Sequence, residues 1–359
     1  MRLGSQAKGL GSVCRQGRPE VQGRESCVKT IDLENHFITP TWLEALRTNE
    51  GYPTVDPQKG LGFAPDAWMP LAVEPKLADV AEGRLKIMDE AGVDYAVLSL
   101  TSPGAEQFPV EVGKRVARDA NDFLAEVIKR HPDRFGGFAC LAPKDPEWSA
   151  AELERCVKEL GFSGWNTHSN YGDSYLDEKK YWPILAKCEE LDIPIYLHPA
   201  VPMIAELREF GMVLSGPTLG FGTDVTYCFM RMIVRGVFDA FPKLKIIMGH
   251  LGEALPFLMD RVNRAWMQHH EKPNPEIGEG SKFPAGHYIK QNLWVTTSGN
   301  YLPAALYCTR DSIGMDRILL GTDFPYENMK DCMDYLRSLP LSAEEAYALF
   351  EGNARALGF

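Results

Sequence analysis

Four short segments hold residue types that together could grip a metal ion: Leu33-Glu34-Asn35-His36, Tyr196-Leu197-His198-Pro199, Gly249-His250-Leu251-Gly252-Glu253 and Gly321-Thr322-Asp323-Phe324-Pro325. Glu34 and His36 are two residues apart, a spacing that puts both side chains on one face of a strand. A carboxylate oxygen and an imidazole nitrogen placed this way can share one ion. His198 and Asp323 complete a mixed nitrogen–oxygen set. Such a set suits zinc or manganese and is too rich in nitrogen for a dedicated calcium site. Each residue alone has an ordinary reading: a strand-end histidine packs, an aspartate before Phe-Pro opens a turn, and Glu34 is a surface charge. The inference rests on their joint position at the ends of separate apolar runs.

The elements that would carry them alternate regularly. Strand candidates are Thr30–Glu34, Asp94–Leu100, Phe135–Leu141, Gly164–Thr167, Ile193–His198, Lys245–Met248, Leu293–Thr297 and Ile318–Asp323. Several are near-continuous apolar runs, as expected of parallel strands buried on both faces. Helical stripes lie between them, for example Val112, Val116, Ala120, Phe123, Leu124 and Val127, closed by His131-Pro132, and later Met329, Cys332, Met333 and Leu336. Ser149-x-x-Glu152 and Ser342-x-x-Glu345 each read as a capping box opening a helix, and Gly161 reads as a left-handed helix end. Eight strands alternating with helices fit a closed barrel or an open doubly wound sheet. No G-x-G-x-x-G follows a strand, which removes the dinucleotide-binding open sheet. Glu34, His198 and Asp323 end strands and His250 lies just beyond one. In a barrel those ends converge on one mouth. The predicted fold class is therefore α/β, a single (β/α)8 TIM barrel.

At 359 residues the chain is long for one domain but ordinary for this barrel. Residues 30–359 are expected to form it. Residues 1–29 hold six Lys/Arg against two Glu, show no periodicity and are expected to be a disordered extension. The net charge of −11 argues against a nucleic-acid partner, and no apolar run approaches the roughly 20 residues that span a bilayer. Eight scattered cysteines without a C-x-x-C pair point to reduced thiols and a cytoplasmic protein. His131, His168, His269, His270 and His287 are read as non-ligands. The long segment from His36 to Leu77 follows the first strand and should cover the mouth as a lid or substrate-shaping loop. Arg261 is read as a surface salt bridge, with a substrate anion or a partner subunit as the alternative.

The motifs, their order and their strand positions resemble the decarboxylating branch of the amidohydrolase superfamily, in particular the ortho-hydroxybenzoate decarboxylases acting on γ-resorcylate, 2,3-dihydroxybenzoate or salicylate. The resemblance covers about Ile31 to Phe359. It is strongest through Gly216-Pro217-Thr218, Phe221-Gly222, Arg231, Gly236-Val237-Phe238, Pro242 to Lys245, Gly249 to Glu253 and Leu255-Pro256. Gly321 to Pro325 and the Ser298-Gly299-Asn300 turn match as well. Asn35 departs from the pattern, where relatives often carry a second glutamate. The resemblance implies one divalent ion, Zn2+ or Mn2+, held by Glu34, His36, His198 and Asp323. His250 and Glu253 would lie beside the substrate as acid/base residues, and the protein would assemble as a homodimer or homotetramer. Hydrolytic cousins usually open with His-x-His and often add a lysine on the fourth strand. Here the opening is Glu-x-His and the fourth strand has no lysine.

The implied reaction is non-oxidative decarboxylation of a small aromatic carboxylate bearing an ortho hydroxyl. Direct loss of carbon dioxide would leave an unstabilised aryl anion. Protonating the carboxyl-bearing carbon first gives a dienone-like species, and cleavage then restores the ring. Asp323 is the expected donor, with its pKa raised from an ordinary value of about 3.9 by an anionic substrate and surrounding carboxylates. His250, oriented by Glu253, would relay the proton. A metal-dependent hydrolase of a lactone or amide would use the same barrel with a metal-activated water, and a non-catalytic binding barrel is the remaining alternative.

Overall fold

The computed structural model describes residues 28–270 and 280–359. The segment 1–27 with Cys14 and Cys27, and the side chains of His269 and His270, lie outside the described residues, so the readings made of them are not addressed. Packing begins before the expected boundary: Val28 is buried in the main apolar cluster, and the Lys29 N–H bonds Glu351 at 2.9 Å.

Eleven strands are present among the described residues: β1 (Ile31–Phe37), β2 (Thr54–Asp56), β3 (Gly60–Ala64), β4 (Ala67–Met69), β5 (Tyr95–Leu100), β6 (Phe135–Ala139), β7 (Gly164–His168), β8 (Pro194–His198), β9 (Lys245–Met248), β10 (Leu293–Thr296) and β11 (Ile318–Leu319). Eight form one parallel sheet in the order β1-β5-β6-β7-β8-β9-β10-β11. Bonds from the Leu33 N–H to Leu320 O (2.9 Å) and from the His36 N–H to Phe324 O (2.8 Å) join its first and last members. The sheet is a TIM barrel with its helices outside.

Its interior is filled from the strands' inward positions. Ile31, Leu33, Val97, Phe138, Tyr196, Ile247 and Leu319 form one buried cluster with Ala354, Leu357 and Phe359 of the C-terminal segment. The larger cluster lies between strands and helices. The stripes expected from the sequence face it: Val116, Ala120, Leu124 and Val127 are buried on the Val110–Arg130 helix, and Met329, Cys332, Met333 and Leu336 on the Met329–Ser338 helix.

Two local expectations separate. Ser342 and Glu345 form the reciprocal capping box. Ser149 and Glu152 do not, because Asp145 already caps that helix by accepting from the Trp148 N–H, with Pro146 at its start. Ser149 and Glu152 are instead buried inside the helix, where Glu152 meets Arg155, Arg118 and Asn121. The His36–Leu77 segment holds the antiparallel sheet β2-β3-β4. Its strands are too short, and too interrupted by glycine, for periodicity to reveal them.

Candidate active site

A register shift between Asp32 and Asn35 sets the first strand's contribution. An extra residue in a ladder re-aims the side chains beyond it. Leu33 packs in the barrel interior, and the next residue, Glu34, also faces inward, where its Oε2 accepts from Thr296 Oγ1 at 2.8 Å. His36 follows on the same side. Its Nδ1 pairs with Ser99 Oγ (3.2 Å) and its Nε2 with Asp323 Oδ1 (3.0 Å). His198 ends β8, and its ring meets that of His36 edge-on at 4.7 Å.

Ligand-type atoms of Glu34, His36, His198 and Asp323 all lie within 4.8 Å of one another. The four positions read from the sequence are thus brought together across the barrel. Their donor chemistry fits a divalent ion. His198 donates from Nδ1 to the Pro199 carbonyl (3.0 Å), which leaves Nε2 with its lone pair. That Nε2 and Glu34 Oε1 are buried without any hydrogen-bond partner, a state that costs free energy unless something else completes it. Burial first, then the neighbouring His36 and His168, holds the His198 pKa well below the usual imidazole value, so it is neutral as a ligand must be. Asn35 is buried, with Leu98 as its register partner on one side and an isolated bridge to Phe324 on the other.

His250 sits beside it. Its Nδ1 pairs with Glu253 Oε1 at 2.7 Å, and its Nε2 is 3.9 Å from Glu34 Oε1 and 4.0 Å from Asp323 Oδ2. Burial works against a charged ring, but Glu253 and Asp323 outweigh it and raise the His250 pKa well above its usual value. Asp323 moves opposite to the expectation. Burial alone would raise it, yet its interactions with His250 and His36 hold it below the usual carboxylate range. Glu34 and Glu327 are instead pushed up, by burial and by the neighbouring Asp323 carboxylate. In this arrangement the surrounding charges favour the protonated form of His250 and the ionised form of Asp323.

The backbone here is held in uncommon conformations. His250, Leu251, Glu253 and Asp323 have φ of 55°, 58°, 56° and 57°, a left-handed region that costs a non-glycine residue on the order of 1–3 kcal/mol. Asp192 is the only other such residue among those described.

A cavity of about 510 Å³ opens over the cluster. His198, His250, Glu253 and Asp323 lie on one side, and Phe63, Met69, Pro217 and Phe221 supply apolar walls. Phe63 and Met69 come from β3 and β4, so the segment after β1 does cover the mouth as expected. Asn300, Tyr326 and Glu327 add polar groups to the lining.

His168 ends β7 but stays outside the four-residue cluster. It pairs with buried Glu106 (3.1 Å) and packs edge-on to His198 at 5.5 Å. His131 and His287 pack near Phe135 and Phe283. Arg261 is exposed and makes no salt bridge among the described residues, so its expected surface pair is not found. Sequence reasoning missed Ser99 and Thr296, which bond His36 and Glu34, and singled out the Ser298 turn without foreseeing that Ser298 Oγ accepts from the His250 N–H. It also missed Asp224, which accepts from Ser169, Asn170 and Tyr175, while Ser169 in turn holds the Ala200 N–H beyond His198. Small hydroxyl residues and a mid-helix aspartate carry no spacing signal of their own.

Fold and site together define a metal-site (β/α)8 barrel of the amidohydrolase type. The chain belongs to the amidohydrolase family, whose model matches residues 31–357. It is 36% identical to a γ-resorcylate decarboxylase of Polaromonas over 342 residues, covering 91% of this chain and 97% of the relative. Among solved structures, a 2,6-dihydroxybenzoate decarboxylase from Rhizobium matches with a TM-score of 0.78 and 33% identity, covering 92% of this chain and 98% of that one. A 5-carboxyvanillate decarboxylase from Novosphingobium aromaticivorans, complexed with manganese and 4-hydroxy-3-methoxy-5-nitrobenzoic acid, matches with a TM-score of 0.83 and 31% identity, covering 92% and 96%.

Proposed function

We propose that this chain is a carboxy-lyase that removes carbon dioxide, without oxidation, from an ortho-hydroxylated aromatic carboxylic acid, using one divalent ion held by Glu34, His36, His198 and Asp323. The observation that carries the reading is the opening of that cluster into a cavity walled by Phe63, Met69, Pro217 and Phe221, with the His250–Glu253 pair beside it. Decarboxylase relatives that match nine-tenths of the chain, one of them complexed with manganese, support it.

Held by Glu34, His36, His198 and Asp323, a divalent ion would supply Lewis acidity that stabilises negative charge on the substrate's oxygens. The chain's own residues handle the proton. Glu253 holds His250 charged, and His250 Nε2 faces Asp323 Oδ2. His250 passes its proton to Asp323, which delivers it to the carboxyl-bearing ring carbon. The carbon–carbon bond then breaks, its electron pair returns to the ring, carbon dioxide leaves, and solvent reprotonates His250. The apolar walls grip the ring and limit water around the reacting carbon.

The protein works as a homodimer or homotetramer in the cytoplasm. Exposed Phe210, Val213, Phe257 and Leu302 supply apolar surface for assembly, and the six described cysteines are unbridged. Sedimentation at micromolar concentration tests the assembly, and a single monomeric species would reject it. The reaction is tested by carbon dioxide release from a panel of ortho-hydroxybenzoates, with protein loaded separately with Zn2+ and Mn2+. Release is expected from at least one member. None from any, at full metal occupancy, would replace the decarboxylase with the lactone or amide hydrolase.

A further inference from the structure

Three of the four proposed ligands sit on the two chain segments that close the barrel, and that closure is sparse. Between β1 and the β11 segment there is one isolated bridge, Asn35–Phe324, beside the two backbone bonds made by Leu33 and His36. On its other edge β1 pairs with β5 from Ile31–Tyr95 to Phe37–Leu100. The seam that must hold Glu34, His36 and Asp323 in register therefore has little ladder of its own.

Asp32 fills that gap. It is fully buried, it takes no part in the cavity or the proposed chemistry, and its carboxylate accepts three hydrogen bonds. Oδ1 accepts from the Glu34 N–H (3.2 Å) and the Thr322 N–H (3.0 Å), and Oδ2 accepts from Thr322 Oγ1 (2.6 Å). One donor is the backbone of a proposed ligand, and the other two belong to the residue immediately before another. On the same seam, buried Arg84 donates to the His36 carbonyl at 2.7 Å and lies over the Phe324 ring at 4.7 Å.

A buried carboxylate is costly unless its oxygens are bonded. Closing a barrel alone would be served as well by an apolar contact. A carboxylate that bonds donors on both ligand-bearing segments does something an apolar residue cannot: it fixes the distance and rotation between them. We propose that Asp32 is a positioning residue, clipping Glu34 to Thr322 so that Glu34, His36 and Asp323 are held at ion-binding separation before the ion arrives. This rests on the metal-site reading and is independent of the substrate.

The test is uptake of Mn2+ by the metal-stripped full-length protein, read from the loss of the free-ion electron paramagnetic resonance signal and from the spectrum of the bound ion. D32A should bind Mn2+ about 10- to 100-fold more weakly, the range for outer partners of metal ligands, with a broadened bound-ion spectrum. T322V, which removes only the hydroxyl bond, should weaken uptake at least threefold, and T322S should restore it. N353A is the stability control. Asn353 bonds the Met315 and Ile318 carbonyls at the far end of β11, so its loss should lower the melting temperature and leave Mn2+ affinity unchanged. Wild-type affinity and spectrum in D32A and T322V would overturn the inference, as would an equal loss in N353A. If D32A does not fold, T322V carries the test. Wild-type protein that took up no Mn2+ would overturn the metal-site reading and this inference together, whereas wild-type uptake with indifferent variants overturns this one alone.

Discussion

The two ends of the barrel are built from the same strands and differ in almost every physical respect. At the closed end, Phe138 meets Phe359 at 5.5 Å and Tyr196 at 5.6 Å, and Ile31, Leu33, Val97, Ile247, Leu319 and Leu357 fill the space around them. At the open end, four buried or half-buried ionisable groups crowd together, Glu34 Oε1 and His198 Nε2 among them lack hydrogen-bond partners, and four side-chain-bearing residues adopt left-handed backbone. The first arrangement stabilises through apolar burial. The second spends part of that stability on groups that would be more comfortable apart.

The sharpest way to break the contrast is at Asp323. Asp323→Asn removes both a proposed ligand and the proposed proton carrier. Carbon dioxide release should fall by about 10³-fold or more in kcat/KM, while the melting temperature of the metal-free protein changes little. Release at near wild-type rate would remove Asp323 from the chemistry. Phe359→Ala attacks the opposite end. Loss of a buried aromatic side chain should cost about 3 kcal/mol, read as a lower denaturation midpoint, with kcat/KM of the folded protein within twofold. A large kinetic defect there would mean that the two ends are not separable.

Next comes Glu253→Gln. Glu253 keeps the His250 pKa above its usual value, so wild-type His250 holds its proton through neutrality and loses it only as pH rises through the raised pKa. Without Glu253 that pKa falls. The alkaline limb of the kcat profile should move to lower pH, with a loss of roughly 10²-fold above neutrality. An unmoved limb would assign it to another group. The smallest effect is expected at Ser342→Ala, which removes the capping box and should cost about 1 kcal/mol in stability with no kinetic change, measured by chemical denaturation.

The closed end and the ligand set were both legible in the sequence, for different reasons. Parallel strands announce themselves as apolar runs, and Glu34, His36, His198 and Asp323 stand out because each interrupts or ends one. The register shift after Asp32 was not legible, since a one-residue slip leaves no mark on composition. Nor were β2, β3 and β4, which are only three, five and three residues long. The helix opening at Pro146 was misplaced because two capping signals, Asp145 and Ser149, compete four residues apart and burial decides between them. The direction of the Asp323 pKa depended on which neighbour comes closest. Carboxylates near it in sequence terms proved less important than His36 and His250, which approach it in space.

The separation of 287 residues between His36 and Asp323, bonded to each other at 3.0 Å, has a consequence for how the protein comes into being. The ribosome delivers Glu34 and His36 early and Asp323 near the end. A growing chain stopped short of the last strand carries three of the four proposed ligands, with Glu34 and His36 facing an open edge. Competence to take up the ion thus arrives late in synthesis, when the final strand docks against the first. A fragment ending before residue 321 should bind no ion with native affinity, however well its remaining strands have folded.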